Sequence, residues 1–117
     1  MLTPADAIAE LDRALVETGQ DVIVRRYTSP TGNPRPSTEL SVRGFVRPVD
    51  ALAIKEFVGN LATPYHEVIL SPTGLSPLLP LLRGDKIVVD GRERNLEMPR
   101  HIKMAGVLVR IKPLVAG

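Results

Sequence analysis

The sequence predicts a mainly β fold, a small six-stranded barrel carrying one N-terminal α-helix. Three observations predict it. Several segments alternate apolar and polar residues with a period of two, and glycine or proline punctuates the breaks between them. The first stretch of the chain has both the period and the caps of a helix. Eleven prolines and an aromatic content of 3% in 117 residues argue against a long helical bundle, because proline breaks helices or fixes loops. A chain of this length suits a single domain over residues 1–117, built around one core.

Residues 3–18 form the helix. Thr3 is a favourable N-cap, Pro4 suits the first helical position, and Asp6 and Glu10 favour the positive end of the dipole. Ile8, Leu11 and Leu15 make one apolar stripe and Gly19 can close the helix. Asp6, Asp12 and Glu17 lie off that stripe, so the helix covers a core with its inner face.

Barrel strands are expected in residues 21–47 and 66–112. Asp21–Thr28 is rich in β-formers, and Ser29–Thr38, with three prolines and a glycine, can only be a loop. Leu40–Arg47 then alternates. Leu40, Val42 and Val46 take one face and Ser41, Arg43, Phe45 and Arg47 the other, while Gly44 on the apolar face marks a bulge or bend. His66–Ser71 is a third strand. Lys86–Val89 and Arg92–Met98 flank Asp90-Gly91, a strong hairpin signal, and Val107–Lys112 is a last strand ended by Pro113.

Two segments fall outside this pattern. Residues 48–65 are long for a connection in so small a domain. They are not polar: Ile54, Phe57, Val58 and Leu61 recur at helical spacing, with Asp50 as a cap and Gly59 as a stop. Thr73–Leu82 is apolar and broken by prolines, neither strand nor helix. It is either a surface for a partner or a cover over one end of the barrel.

Signals for chemistry are sparse. Cysteine is absent, which removes disulfides, a thiol nucleophile and thiolate metal sites. His66 and His101 have no metal-binding context, and His66 and Glu67 point to opposite faces of one strand. No nucleophile elbow, phosphate loop or dinucleotide fingerprint occurs. The sequence therefore predicts no enzyme, no catalytic residue, no cofactor and no metal. Arg83-Gly84-Asp85 spells an adhesion tripeptide but reads as a turn entering a strand. No stretch approaches a membrane span, and the first fifteen residues, with three acids, do not read as a signal peptide.

The charge is unevenly placed. The first 21 residues carry a net −4 and the remainder +6, an acidic head on a mildly basic body. Arg25 and Arg26 on one strand, and Arg43 and Arg47 on another, make a phosphate contact conceivable. With two tyrosines and two phenylalanines, scattered, stacking on bases is not supported.

Three runs in the second half, in order, carry a resemblance: Val68-Ile69-Leu70-Ser71-Pro72-Thr73, then Arg83-Gly84-Asp85-Lys86-Ile87-Val88-Val89-Asp90-Gly91, then Gly106–Ile111. With the preceding Val42-Arg43-Gly44-Phe45-Val46 and the N-terminal helix, the chain resembles the head-completion, or stopper, proteins of long-tailed bacteriophages and gene transfer agents. Pro77-Leu78-Leu79-Pro80 departs from that pattern. The resemblance implies a small β-barrel with a helix and a long loop that projects into an axial channel, matched by position to roughly residues 49–65.

It also implies a role as a structural connector in the neck of the virion, assembled in the cytoplasm of the host bacterium. Such proteins form a ring, roughly six or twelve copies of one chain, beneath the portal and adaptor. They hold the end of the packaged double-stranded DNA without reading its sequence, and they present the docking surface for the tail terminator or tail tube. On this reading Arg43, Arg47 and Lys55 meet phosphates in the channel, and Ile54, Phe57, Val58 and Leu61 pack loop against loop to close it. No membrane partner is expected. Two other readings stay open: an adaptor or tail-terminator ring of the same connector, and a small barrel that binds nucleic acid.

Overall fold

The computed structural model describes residues 3–49 and 65–116. Helix α1 (Pro4–Thr18) begins in a capping box: the Thr3 hydroxyl accepts the Asp6 N–H, and the Asp6 carboxylate accepts the Thr3 N–H, both at 3.1 Å. That backbone donor, followed by the Thr3 side chain, holds the Asp6 carboxyl below its ordinary pKa. Leu11 and Leu15 are buried, and α1 lies against the sheet it covers. Gly19 ends the helix in extended conformation, with its N–H on the Leu15 carbonyl at 2.9 Å. Its glycine is required by close approach: a Cβ would lie 2.5 Å from the Leu15 oxygen and 2.9 Å from the Gly44 oxygen.

Eight strands follow among the described residues: β1 (Gln20–Tyr27), β2 (Ser37–Pro48), β3 (Tyr65–Leu70), β4 (Lys86–Val89), β5 (Arg92–Met98), β6 (His101–Met104), β7 (Val107–Ile111) and β8 (Leu114–Ala116). All pairings are antiparallel. The order β2-β1-β4-β5-β8-β3 returns to β2, which closes a six-stranded barrel; β7 and β6 extend from β3 outside it. Strand β2 makes the closure. Ser37–Gly44 pairs with β1 and Gly44–Pro48 with β3, so Gly44 stands opposite both Gln20 and Leu70. The bend expected at Gly44 is the point where β2 changes neighbours. A Cβ there would sit 3.1–3.2 Å from Leu70, Val22 and Val68 side chains, so any larger residue would have to push these core side chains aside.

Register fixes which side chains fill the barrel. Val22 and Val24 of β1, Val68 and Leu70 of β3, Ile87 and Val89 of β4, Leu96 of β5 and Val115 of β8 form one buried cluster. Leu75, Leu78 and Leu81 join it from the segment between β3 and β4, where Ser76–Leu78 makes one 3-10 turn. The segment 73–82 is therefore a cover over one barrel end, and its leucines are core rather than a partner surface; Leu82 alone remains largely exposed, at 50%.

Two expectations about the strands are corrected. The sixth barrel strand is β8, whereas Val107–Lys112 contributes β7, which touches β3 through the single pair Leu70↔Ile111. Pro113 interrupts the backbone but does not end the sheet: its carbonyl accepts the Val68 N–H at 3.1 Å and the chain resumes between β3 and β5. Strand β6 was likewise not expected. It is turned onto β7 by Ala105 and Gly106, both at positive φ (50° and 80°), the geometry that Asp90 and Gly91 (53° and 78°) give the β4–β5 hairpin.

Candidate functional site

The barrel has two unlike ends. At the first, β1 hands over to a hairpin loop, β3 runs into the leucine cover, and Arg26 points inward on the same strand face as Val22 and Val24. Its guanidinium donates to both carboxylate oxygens of Asp85, Nε at 2.9 Å and Nη2 at 2.8 Å, and Nη2 also reaches the carbonyls of Leu78 and Pro80. The Asp85 hydrogen bond raises the Arg26 pKa further. Asp85 is 4% exposed and also accepts the Leu82 N–H at 2.9 Å. The Arg83-Gly84-Asp85 tripeptide is thus a structural turn whose carboxylate faces the core.

The second end is where β2 finishes, β3 begins and the β4–β5 hairpin turns. Arg43 and Arg47 belong to this end, on the outward face of β2. Arg43 closes the C-terminus of α1: Nε donates to the Leu15 carbonyl at 3.2 Å, and Nη2 to those of Val16 and Gly19 at 3.2 and 2.7 Å. Its Nη1 lies 3.3 Å from Asp21. Arg47 donates to Glu67 at 2.8 Å through Nε, and Arg100 donates to the other Glu67 oxygen. Burial by itself would push the Glu67 carboxyl up; the hydrogen bonds and charges of Arg100 and Arg47 outweigh it and hold the group below its ordinary value. The side chain of Arg47 nevertheless stays half exposed, at 54%.

Arg25 is also engaged. It lies between Glu39 and Glu93, 2.5 Å from each, and Tyr27 donates to Glu93 at 2.6 Å. Lys55 and the stripe Ile54, Phe57, Val58 and Leu61 lie outside the described residues.

The inward face of the second end holds residues that the sequence reading passed over. Arg94 stands opposite Ile87, Arg92 opposite Val89, and His66 opposite Pro48 and Val115. Arg94 Nη1 is 3.5 Å from His66 Nδ1, and Arg94 Nε is buried without a hydrogen-bond partner. Burial, then the charges of Arg94 and Arg92, lower the His66 pKa and so favour its neutral ring. The signal for this cluster was present: Arg92, Arg94 and Leu96 alternate, which puts two cations on the face that buries Leu96. His101, by contrast, is structural, accepting the Leu81 N–H at 3.1 Å through Nε2.

A broad apolar groove also runs between α1 and the β6–β7 hairpin, floored by Leu11, Ala14, Ile102, Met104 and Val109. Among the described residues no group of acids and histidines is arranged to hold a metal ion, and no helix is long and apolar enough to cross a membrane. No protein-family model and no curated protein matches this chain.

Proposed function

We propose that this protein is a structural connector of the stopper type, which sits as a ring in the neck of a tailed phage or gene transfer agent, retains packaged DNA and receives the tail. The observation that carries the reading is the closed barrel itself. Its β2 strand passes from β1 to β3 at Gly44, and the β2–β3 connection starts and ends at the barrel end opposite the leucine cover. A helix packs outside that barrel, in the element order that the resemblance implies.

Physical features fit a load-bearing part. Each end of the barrel is tied by ionic contacts between residues distant in sequence, Arg26 with Asp85 and Glu67 with Arg47 and Arg100. On this proposal DNA is held by charge rather than by base contact, with Lys55 in the β2–β3 connection and Arg47 at its root as contacts. Arg43 is assigned less to DNA than to α1, since its donors already serve the helix end.

The test is deletion of residues 52–62 in a particle that depends on this protein. The proposal expects heads that package a full genome and then lose it, read as DNA made accessible to nuclease. Stable, infectious particles from the deletion would refute it.

A further inference from the structure

We propose that the second end of the barrel is a binding site for a phosphate group, formed by Arg94, Arg92 and His66. The two ends of the barrel supply the argument by contrast. Each carries arginine on the inward strand face, with Arg92 exposed at the rim of the second end and Arg94 half-buried behind it, but at the first end Asp85 answers Arg26 with two hydrogen bonds. At the second end no carboxylate among the described residues answers Arg92 or Arg94.

Among the described residues the acids nearest in sequence are engaged elsewhere, Glu97 with Arg83 at 3.6 Å. Glu67 faces outward between Arg47 and Arg100. Glu93 faces outward to Arg25 and Tyr27. Asp90 accepts from Gln20 at 3.1 Å. What remains is a guanidinium whose Nε–H is buried and unpartnered, a neighbouring imidazole at 3.5 Å, and a second guanidinium one inward position nearer the rim.

A guanidinium held at the inner face of a barrel end with no carboxylate beside it is costly, and an oxyanion is the group that balances its charge. Phosphate suits the cluster better than a carboxylate. Its several oxygens can accept from two separate guanidinia and from an imidazole N–H together, and its charge of up to −2 matches two fixed cations. The site follows from the barrel alone and stands whether or not the protein is a connector. The phosphate can be free in solution or part of a DNA backbone, and the experiment separates the two sources.

The experiment follows the Arg94 Nε–H and His66 ring signals by NMR during titration with sodium phosphate at constant ionic strength, with sodium chloride as the reference. The expected result is a saturable change confined to Arg94, Arg92 and His66, with the His66 pKa rising on saturation because the bound anion favours the imidazolium. Arg94→Met should weaken phosphate binding about tenfold or more, the loss of a charge-assisted pair. Arg83→Met, at an exposed arginine away from the cluster, should leave it unchanged.

Thermal melts give a second readout. Added phosphate should raise the Tm of the unaltered protein and not that of Arg94→Met. If Arg94→Met does not fold, Arg92→Met serves in both measurements. Displacement of phosphate by a blunt-ended DNA duplex identifies the DNA backbone as a source; phosphate binding without displacement leaves the site in place with free phosphate as its ligand. Changes of equal size in chloride, or changes spread over the surface arginines, would overturn the proposal.

Discussion

The Arg26 guanidinium meets the Asp85 carboxylate in a two-point fork, 2.9 and 2.8 Å, and so fastens the leucine cover to the inside of β1. The pair joins residues 59 positions apart, and the same Nη2 holds the Leu78 and Pro80 carbonyls. Removing Arg26 leaves Asp85 buried without its cation. Arg26→Met is expected to destabilise the fold by about 3–5 kcal/mol, the usual cost of breaking a buried pair from one side. Urea unfolding followed by circular dichroism measures it. A change below about 1 kcal/mol would place the pair with ordinary surface ion pairs.

Leu78 is the apolar counterpart of that fastening. It lies 3% exposed inside the barrel end, so Leu78→Ala removes buried methyl groups and leaves a cavity. The expected loss is about 2–5 kcal/mol in the same unfolding assay. Leu82→Ala, on the exposed neighbour, is expected to fall within about 0.5 kcal/mol of the unaltered protein.

Glu67 makes stability depend on pH in one direction. Its folded pKa lies below the ordinary value of 4.5, so its contribution is fully present above about that pH. It is lost as pH falls through the lower folded value, where the carboxylate between Arg47 and Arg100 takes up a proton. Unfolding free energies measured from pH 7 down to pH 3 should therefore decline more steeply for the unaltered protein than for Glu67→Gln. Parallel declines would mean that other carboxylates carry the acid sensitivity.

Arg43 offers a separation between charge and geometry. Its fork caps α1 through the carbonyls of Leu15, Val16 and Gly19. Arg43→Lys keeps the charge and loses the fork, and should cost about 1–3 kcal/mol of stability, as expected for hydrogen bonds from a charged donor. DNA retention by particles carrying Arg43→Gln, which removes the charge as well, should be unchanged. Retention lost without loss of stability would return Arg43 to the channel.

These residues also show where the sequence was legible. The alternation of Leu40, Val42 and Val46, the capped helix and the Asp90-Gly91 turn are local signals, and each corresponds to an observed element. Strand β8 is three residues behind a proline, buried throughout, and so has no readable period. The turn into β6 uses Ala105-Gly106, without the asparagine or aspartate that usually announces such a turn. Leu75, Leu78 and Leu81 are apolar at a spacing of three in a proline-broken run, and what distinguishes core from partner surface there is the Arg26–Asp85 contact, which is non-local.

The candidate site was legible in part for the same reason. Arg43 and Arg47 do share an outward strand face, but their partners, Leu15, Gly19 and Glu67, lie 20 or more positions away, and pairing of that kind leaves no mark on a single segment. The cluster of Arg92, Arg94 and His66 needed the closure of the barrel to bring β3 and β5 to one interior.

The most direct measurement of the connector reading is co-sedimentation of the purified protein with DNA-filled, tailless heads that carry portal and adaptor. The reading predicts saturable binding in a fixed ratio to heads, restored tail attachment, and little affinity for free duplex DNA at moderate salt. Absence of binding to heads, together with an affinity for free DNA that falls steeply as salt rises, would contradict it and identify a nucleic-acid-binding barrel instead.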